Sequence, residues 1–225
     1  MPPVRLNFSS IVWAILRKDM VCEFRTRYAV GAIIMFAFTT LSSVSMAIAG
    51  KELPPTFAAA LLWIVMFFCS MAGLARVFVQ EHETGTLLGL RLYAPSLAVL
   101  CGKLLFNIGL LAGLSCLVVP LFVIFLNVTM EEWHLFSLVL ILGGVGIAAV
   151  ATLTGAMVLS ARGEQSIFTV LTFPVLLPQF LSAINVSTKI LSGEVPGIDE
   201  LIFMAGYDAA VIAAGMLLFD YLWQD

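Results

Sequence analysis

Residues 135–159 read LFSLVLILGGVGIAAVATLTGAMVL, twenty-five positions in succession without a charge. About 20 such residues suffice for a helix to cross the hydrocarbon core of a bilayer. Lipid offers no partner to backbone N–H and C=O groups, so a stretch of this kind has to be helical. Working outward, similar stretches occupy residues 28–49, 57–75, 104–126 and 166–188, with 22, 19, 23 and 23 uncharged residues. A sixth, 201–223, is interrupted by Asp208 and Asp220. The chain therefore reads as an all-α polytopic membrane protein of six transmembrane helices.

Composition agrees. Of 225 residues, 61% are hydrophobic and 25 carry a charge, against about 56 expected for a soluble chain of this length. Soluble globular, disordered, collagen-like and small disulfide-scaffold classes are excluded. Six spans use roughly 120 positions and leave about 100, too few for an additional folded domain of ordinary size.

Lys and Arg set the orientation. With a cytoplasmic N-terminus, the inner segments hold Arg5, Arg17, Lys18, Arg25, Arg27, Arg76, Arg91, Lys103 and Arg162, nine of eleven cations, and the outer loops hold Lys51 and Lys189. An even span count places both termini in the cytoplasm. Ala47-Ile48-Ala49 imitates a signal cleavage site, but the preceding apolar stretch is too long and begins too late for a signal peptide. Cys22, Cys69, Cys101 and Cys116 form no C-x-x-C pair and read as packing residues and free thiols.

Two pieces do not span. Residues 8–25 read as an amphipathic helix lying in the headgroup layer, with Ser9 or Ser10 as its cap. Its apolar side carries Ile11, Val12, Ile15, Leu16 and Met20, and its polar side Arg17, Lys18, Asp19, Glu23 and Arg25. The inner loop 76–103 contains Glu81 and Glu83 before the turn signal Thr84-Gly85-Thr86. A short helix follows, with Leu87, Leu88, Leu90 and Leu92, limited by Pro95. Those leucines need a partner protein or the membrane surface to pack against.

Within the spans, Gly144, Ala148, Thr152 and Ala156 recur at i, i+4 and make one small face. Pro174 and Pro178, followed by Gln179, remove ladder hydrogen bonds and predict a kink or break. The freed carbonyls line a polar path or are satisfied by neighbouring helices. Asp208 and Asp220 are twelve residues apart, roughly 18 Å of helix, so at least one lies within the hydrocarbon zone or draws water to it. An intramembrane carboxylate marks a functional site or pairs with a base on a neighbouring helix. No G-x-x-x-x-G-K-[ST] loop is present, so this chain does not hydrolyse ATP in that way. No metal cluster appears either. The two histidines, His82 and His134, both fall outside the apolar interior, which argues against a resident haem with a histidine ligand.

Several stretches together carry a family likeness. Lys18-Asp19-Met20 with Glu23-Phe24-Arg25-Thr26-Arg27 resembles the K-D-L..E.R-T-R segment of the CcmB (haem exporter protein B) family. Residues 81–95, EHETGTLLGLRLYAP, are similar to its E-R-E-x-G-T-L-x-G-L-x-L-x-A-P loop, with His82 in place of the usual Arg. Gly102-Lys103, Pro120, Phe173-Pro174, Leu177-Pro178, Tyr207-Asp208 and Leu218-Phe219-Asp220-Tyr221 also fit. The resemblance implies a type-2 ABC-exporter permease of the bacterial inner membrane, paired with two copies of a CcmA-like ATPase. ATP would then be bound by that partner, and haem would be transient cargo rather than a cofactor of this chain. Further implied partners are CcmC-like, CcmD-like and CcmE-like haem-handling proteins. The loop bearing Glu81, Glu83, Thr84, Gly85, Thr86, Leu87, Leu90 and Pro95 would be the coupling helix. Residues Lys18, Asp19, Glu23, Arg25 and Arg27 would belong to a connecting, or elbow, helix. Pro174, Pro178, Gln179 and Asp208 are the candidates for a pathway or helix break. The other readings are a non-transporting scaffold that passes the ATPase's motion to its neighbours, and a lipid or glycan permease of the same fold. A membrane enzyme lacks any assembled nucleophile and base.

Overall fold

The structure is a computed structural model, and it describes residues 7–26, 28–48, 53–83, 89–90, 94–129, 132–160 and 165–224. Among these residues it is all-helical. Seven helices follow one another: α1 (Phe8–Thr26), α2 (Tyr28–Ile48), α3 (Pro55–Glu83), α4 (Ser96–Leu126), α5 (Trp133–Ser160), α6 (Gln165–Leu191) and α7 (Ile198–Gln224). Five contain apolar stretches long enough to cross a membrane: Pro55–Leu74, Ser96–Leu126, Trp133–Val158, Phe168–Leu191 and Ile198–Tyr221. The apolar stretch described in α2, Ile33–Ile48, is shorter.

The decisive sequence stretch is the middle of the molecule. α5 packs on α3, α4, α6 and α7, and every residue from Gly146 to Ala156 is buried. A helix apolar on all sides belongs in the interior, and its small residues let its neighbours come close. The closest approaches, however, are not on the anticipated Gly144–Ala148–Thr152–Ala156 face. They occur at Gly143 and Gly146. A Cβ on Gly143 would lie 2.1 Å from Cη2 of Trp63, and one on Gly146 would lie 2.6 Å from Oδ1 of Asp208. Trp63, 1% exposed, fills the notch over Gly143 and donates its indole N–H to Ser187 Oγ at 2.9 Å, tying α3 to α6.

The helices alternate in direction. At one end of the bundle the start of α4 meets the ends of α5 and α7 and lies against α1. A small apolar cluster there joins Ile15, Val99, Leu100, Ala156 and Phe219. At the far end, Lys189 of α6 pairs with Glu200 in the first turn of α7 at 2.7 Å, and Asn185 donates to the same carboxylate at 3.0 Å. Between those two helices Gly193 takes φ +76°, a left-handed value that glycine reaches without steric cost.

Some expected local features differ. The first helix begins at Phe8, and the Asn7 carbonyl accepts from Ser10 N and Ile11 N at 2.9 and 3.2 Å. Ser10 Oγ turns back to the Asn7 carbonyl at 2.6 Å, so neither Ser9 nor Ser10 starts the helix. Thr39, Ser115, Thr152, Thr154, Thr172 and Thr188 each return a hydroxyl to the carbonyl four residues before. This is how a hydroxyl is satisfied in an apolar setting.

Candidate functional site

Two places combine buried charge with the predicted residues. The first lies where α1 crosses the start of α4. Val12, Ile15 and Asp19 form the buried stripe of α1, spaced three and four residues apart so that they share one helix face. Gly102 admits this contact, since a Cβ there would stand 2.8 Å from Cγ2 of Ile15. Asp19 Oδ2 faces Lys103 Nζ at 3.0 Å, and the two side chains are 8% and 1% exposed. Lys18 approaches Asp19 Oδ1 at 3.4 Å from the surface. The sequence pattern puts Asp19 on the polar side of α1 and Met20 on the apolar side. The structure instead buries Asp19 against Lys103, on the face of α1 that docks on protein, while Met20 stays exposed. Lys103 lies two turns inside α4 instead of ending a loop.

The loop before α4 runs into this region. Glu81 and Glu83 stand at the end of α3, and their side chains lie outside the described residues, as does that of Arg25. Arg27, Thr84, Gly85, Thr86 and Leu87 lie outside the described residues altogether. Glu23 is half-buried. Leu90 is half-buried and packs with Ala94 on the cluster of Ile15, Val99 and Phe219. This leucine packs against its own chain. Pro95 holds the N-cap position of α4 with extended backbone, φ −64° and ψ 142°, and its carbonyl accepts from Ala98 and Val99. Ser96 then donates its hydroxyl to Asp220 of α7. Asp220 is therefore an exposed carboxylate at the end of the bundle, close to the positive end of α4.

The second place is the middle of the bundle, where α5, α6 and α7 meet over Gly146. Asp208 is 4% exposed and Gln179 1%. Gln179 Nε2 donates to the Leu142 carbonyl at 3.3 Å, a second donor to an oxygen of the uninterrupted α5. Among the described residues, Oε1 of Gln179 and both carboxylate oxygens of Asp208 have no hydrogen-bond partner. Next to Asp208, Tyr207 donates its hydroxyl to the Val175 carbonyl of α6. Further along α5, Asn107 Nδ2 donates to Thr152 Oγ1 at 2.8 Å, and the hydroxyls of Thr154 and Thr172 share a 2.8 Å hydrogen bond.

The predicted break in α6 is absent. The helix continues from Gln165 to Leu191 through both prolines. Pro174 and Pro178 lie on its exposed side, opposite buried Leu176, Gln179 and Ala183. A proline removes a ladder hydrogen bond and crowds the carbonyl four residues before it, and a helix among apolar neighbours continues through it when the surrounding turns and helices hold. The two prolines thus lie apart from Gln179 and Asp208, which do come together.

Comparison with known proteins follows from this geometry. A family model described as CcmB protein matches residues 10–219, from the first turn of α1 to the buried Phe219 of α7. This chain belongs to the CcmB family. Membership makes it a multi-pass membrane protein and a component of an ABC transporter involved in haem export and cytochrome c maturation, a permease subunit and not itself the ATPase. A search of curated proteins gave no match. The CcmB match spans both buried polar places, including Asp19, Lys103, Gly146, Gln179 and Asp208.

The sequence pattern places Lys103 among the topology-setting cations and does not single out Gly143 or Gly146. The signal that could have found the glycines is the run Gly143-Gly144-x-Gly146, three glycines in four residues of a helix, where each costs about 1 kcal/mol against alanine and so needs a packing reason.

Proposed function

We propose that this CcmB-family chain couples ATP hydrolysis by a separate, CcmA-like subunit to haem delivery and to release of a haem-loaded chaperone. The observation that carries the reading is the junction of the 84–95 connection with the bundle. Leu90, Ala94 and Ser96 are fastened to α1, α4, α5 and α7 at one place. A push that arrives at Leu90, Ala94 and Ser96 therefore reaches four helices at once. The end of α3, with Glu81 and Glu83, and the rest of the connection, with Thr84, Gly85, Thr86 and Leu87, serve as the docking face for the ATPase. In this reading α2 is the sixth span, both termini are cytoplasmic in the inner membrane, and α1 is an elbow helix. The exposed Phe8, Trp13, Met20 and Val21 of α1 suit the headgroup layer. Two such chains work with two ATPase subunits and with CcmC-like, CcmD-like and CcmE-like proteins. ATP is held by the ATPase, and haem passes as cargo.

Glu83→Ala and Leu90→Ala in the co-expressed complex provide the test. Reduced ATP turnover or reduced co-purification of the ATPase is the expected result. Unchanged values in both assays would remove the connection from the coupling path. One observation favours a scaffold over a conduit: the contacts of α5 with Trp63 at Gly143 and with Gln179 and Asp208 at Gly146 exclude even a methyl group. Proteoliposomes distinguish the two. ATP-dependent haem accumulation supports transport, and chaperone release without accumulation supports the scaffold.

A further inference from the structure

Among the described residues, Asp208 is a buried carboxyl without a counter-ion. The cations on the helices packed against α7 are engaged elsewhere. On α4, Lys103 pairs with Asp19 near the α1 end of the bundle. On α6, Lys189 pairs with Glu200 at the opposite end. On α5, the titratable side chain is His134, exposed in the first turn. On α7 itself, Asp199, Glu200 and Asp220 are acidic, Tyr207 is engaged with the Val175 carbonyl, and Tyr221 is exposed. Gly146, against which Asp208 rests, stands at the middle of the 28-residue α5, about 20 Å from either end. An ionised carboxylate at that depth would have lost its water, with no cation and no hydrogen-bond donor in exchange.

The surroundings state what is missing. Asp208 Oδ1 and Oδ2 and Gln179 Oε1 are three oxygens without a donor among the described residues. Gln179 cannot supply one through Oε1, and its Nε2 is directed to the Leu142 carbonyl. The Gly146 side is closed, with Asp208 Oδ1 and Gln179 Nε2 at 2.6 and 2.9 Å from the same Cβ position. A single proton removes the charge and creates the absent donor. We propose that Asp208 is a proton-binding site in the middle of the bundle, with Gln179 Oε1 as the acceptor of the carboxyl hydroxyl. The balance is simple: a carboxylate and one proton give a neutral carboxyl, whose O–H meets an amide oxygen that otherwise has no partner. Buried polar groups accompany α5 toward the α1 end, where Asn107, Thr152, Thr154 and Thr172 lie. The buried residues of its other half are Phe136, Val139, Gly143 and Gly144.

The proposal is tested on the assembled complex in lipid, without ATP, so that its outcome is separate from the coupling role. Dicyclohexylcarbodiimide attacks protonated carboxyls in apolar surroundings. Peptide mass spectrometry should find the adduct on Asp208, decreasing as the pH is raised and abolished in Asp208→Asn. Infrared spectra with isotope-labelled aspartate should show a protonated-carboxyl band that persists but shifts in Gln179→Leu, because the acceptor is gone. If Asp208→Asn fails to assemble, the wild-type adduct and the Gln179→Leu shift still decide. Carboxylate bands alone at every pH would overturn the proposal. So would protection of Asp208 by sodium at fixed pH, which would assign the site to an alkali ion.

Discussion

At the scale of single residues, the interior is governed by what two glycines leave out. Trp63 occupies the volume that a side chain at Gly143 would need, and its indole is held by Ser187. Gly143→Ala should cost about 1–3 kcal/mol through overpacking. Trp63→Phe, which gives up the hydrogen bond but keeps a ring, should cost only about 1 kcal/mol more than its lost volume. Thermal unfolding in detergent measures both, and an unchanged midpoint for Gly143→Ala would show that the indole can move aside. The pair Asp19–Lys103 gives a second contrast. Lys103→Met leaves the buried carboxylate only the longer, surface contact with Lys18 and should cost about 3–5 kcal/mol, whereas the double change with Asp19→Leu should recover most of it. A double-mutant cycle on unfolding free energies reads this coupling directly, and additive single effects would contradict the buried pair.

At the scale of elements, α1 is held chiefly by the stripe Val12, Ile15 and Asp19 against α4. Gly102→Leu inserts a side chain where Ile15 now sits. It should release α1 without unfolding the bundle. Hydrogen exchange is expected to accelerate across residues 8–26 and to stay slow in the buried half of α5, and equal protection of α1 in both proteins would show that another contact carries it. The elements themselves were legible in the sequence because charge-free runs are an unambiguous signal, and each predicted span lies on a helix. Their facial details were harder to read. Asp19 belongs to a polar periodicity by composition, yet its position is fixed by Lys103, more than 80 residues away in the chain. The prolines of α6 were visible, but their outward orientation depends on which side of α6 meets α3 and α5. By contrast Gln179 and Asp208 stand out by depth and polarity alone, and they meet, although nothing in their own stretches points to the glycine that brings them together.

For the molecule as a whole, the role of α2 becomes a question of parity. Five long apolar helices would put the two chain ends on opposite sides of the membrane, and six put them on one side. Tags at the N- and C-termini of the intact protein, probed by protease in sealed vesicles, should share one fate, with the Lys189–Glu200 end of the bundle on the other side. Opposite fates would remove α2 from the set of spans. The nine-to-two distribution of cations supports the same-side result. In the folded protein, however, two of the nine, among the described residues, also hold the structure together. Lys103 is buried against Asp19, and Lys18 reaches the same carboxylate. Topology and packing thus draw on the same few charges.

The position of Asp208 has a consequence for how the chain is made. It sits on α7, which leaves the ribosome after α5 and α6. A carboxylate at the centre of a span disfavours its insertion by about 3 kcal/mol when the helix enters lipid alone. Gly146 and Gln179 lie upstream, so their helices are already synthesised when α7 appears. The polar seat precedes its occupant, and biosynthetic order spares a helix with a carboxyl at its centre from entering the membrane unaccompanied.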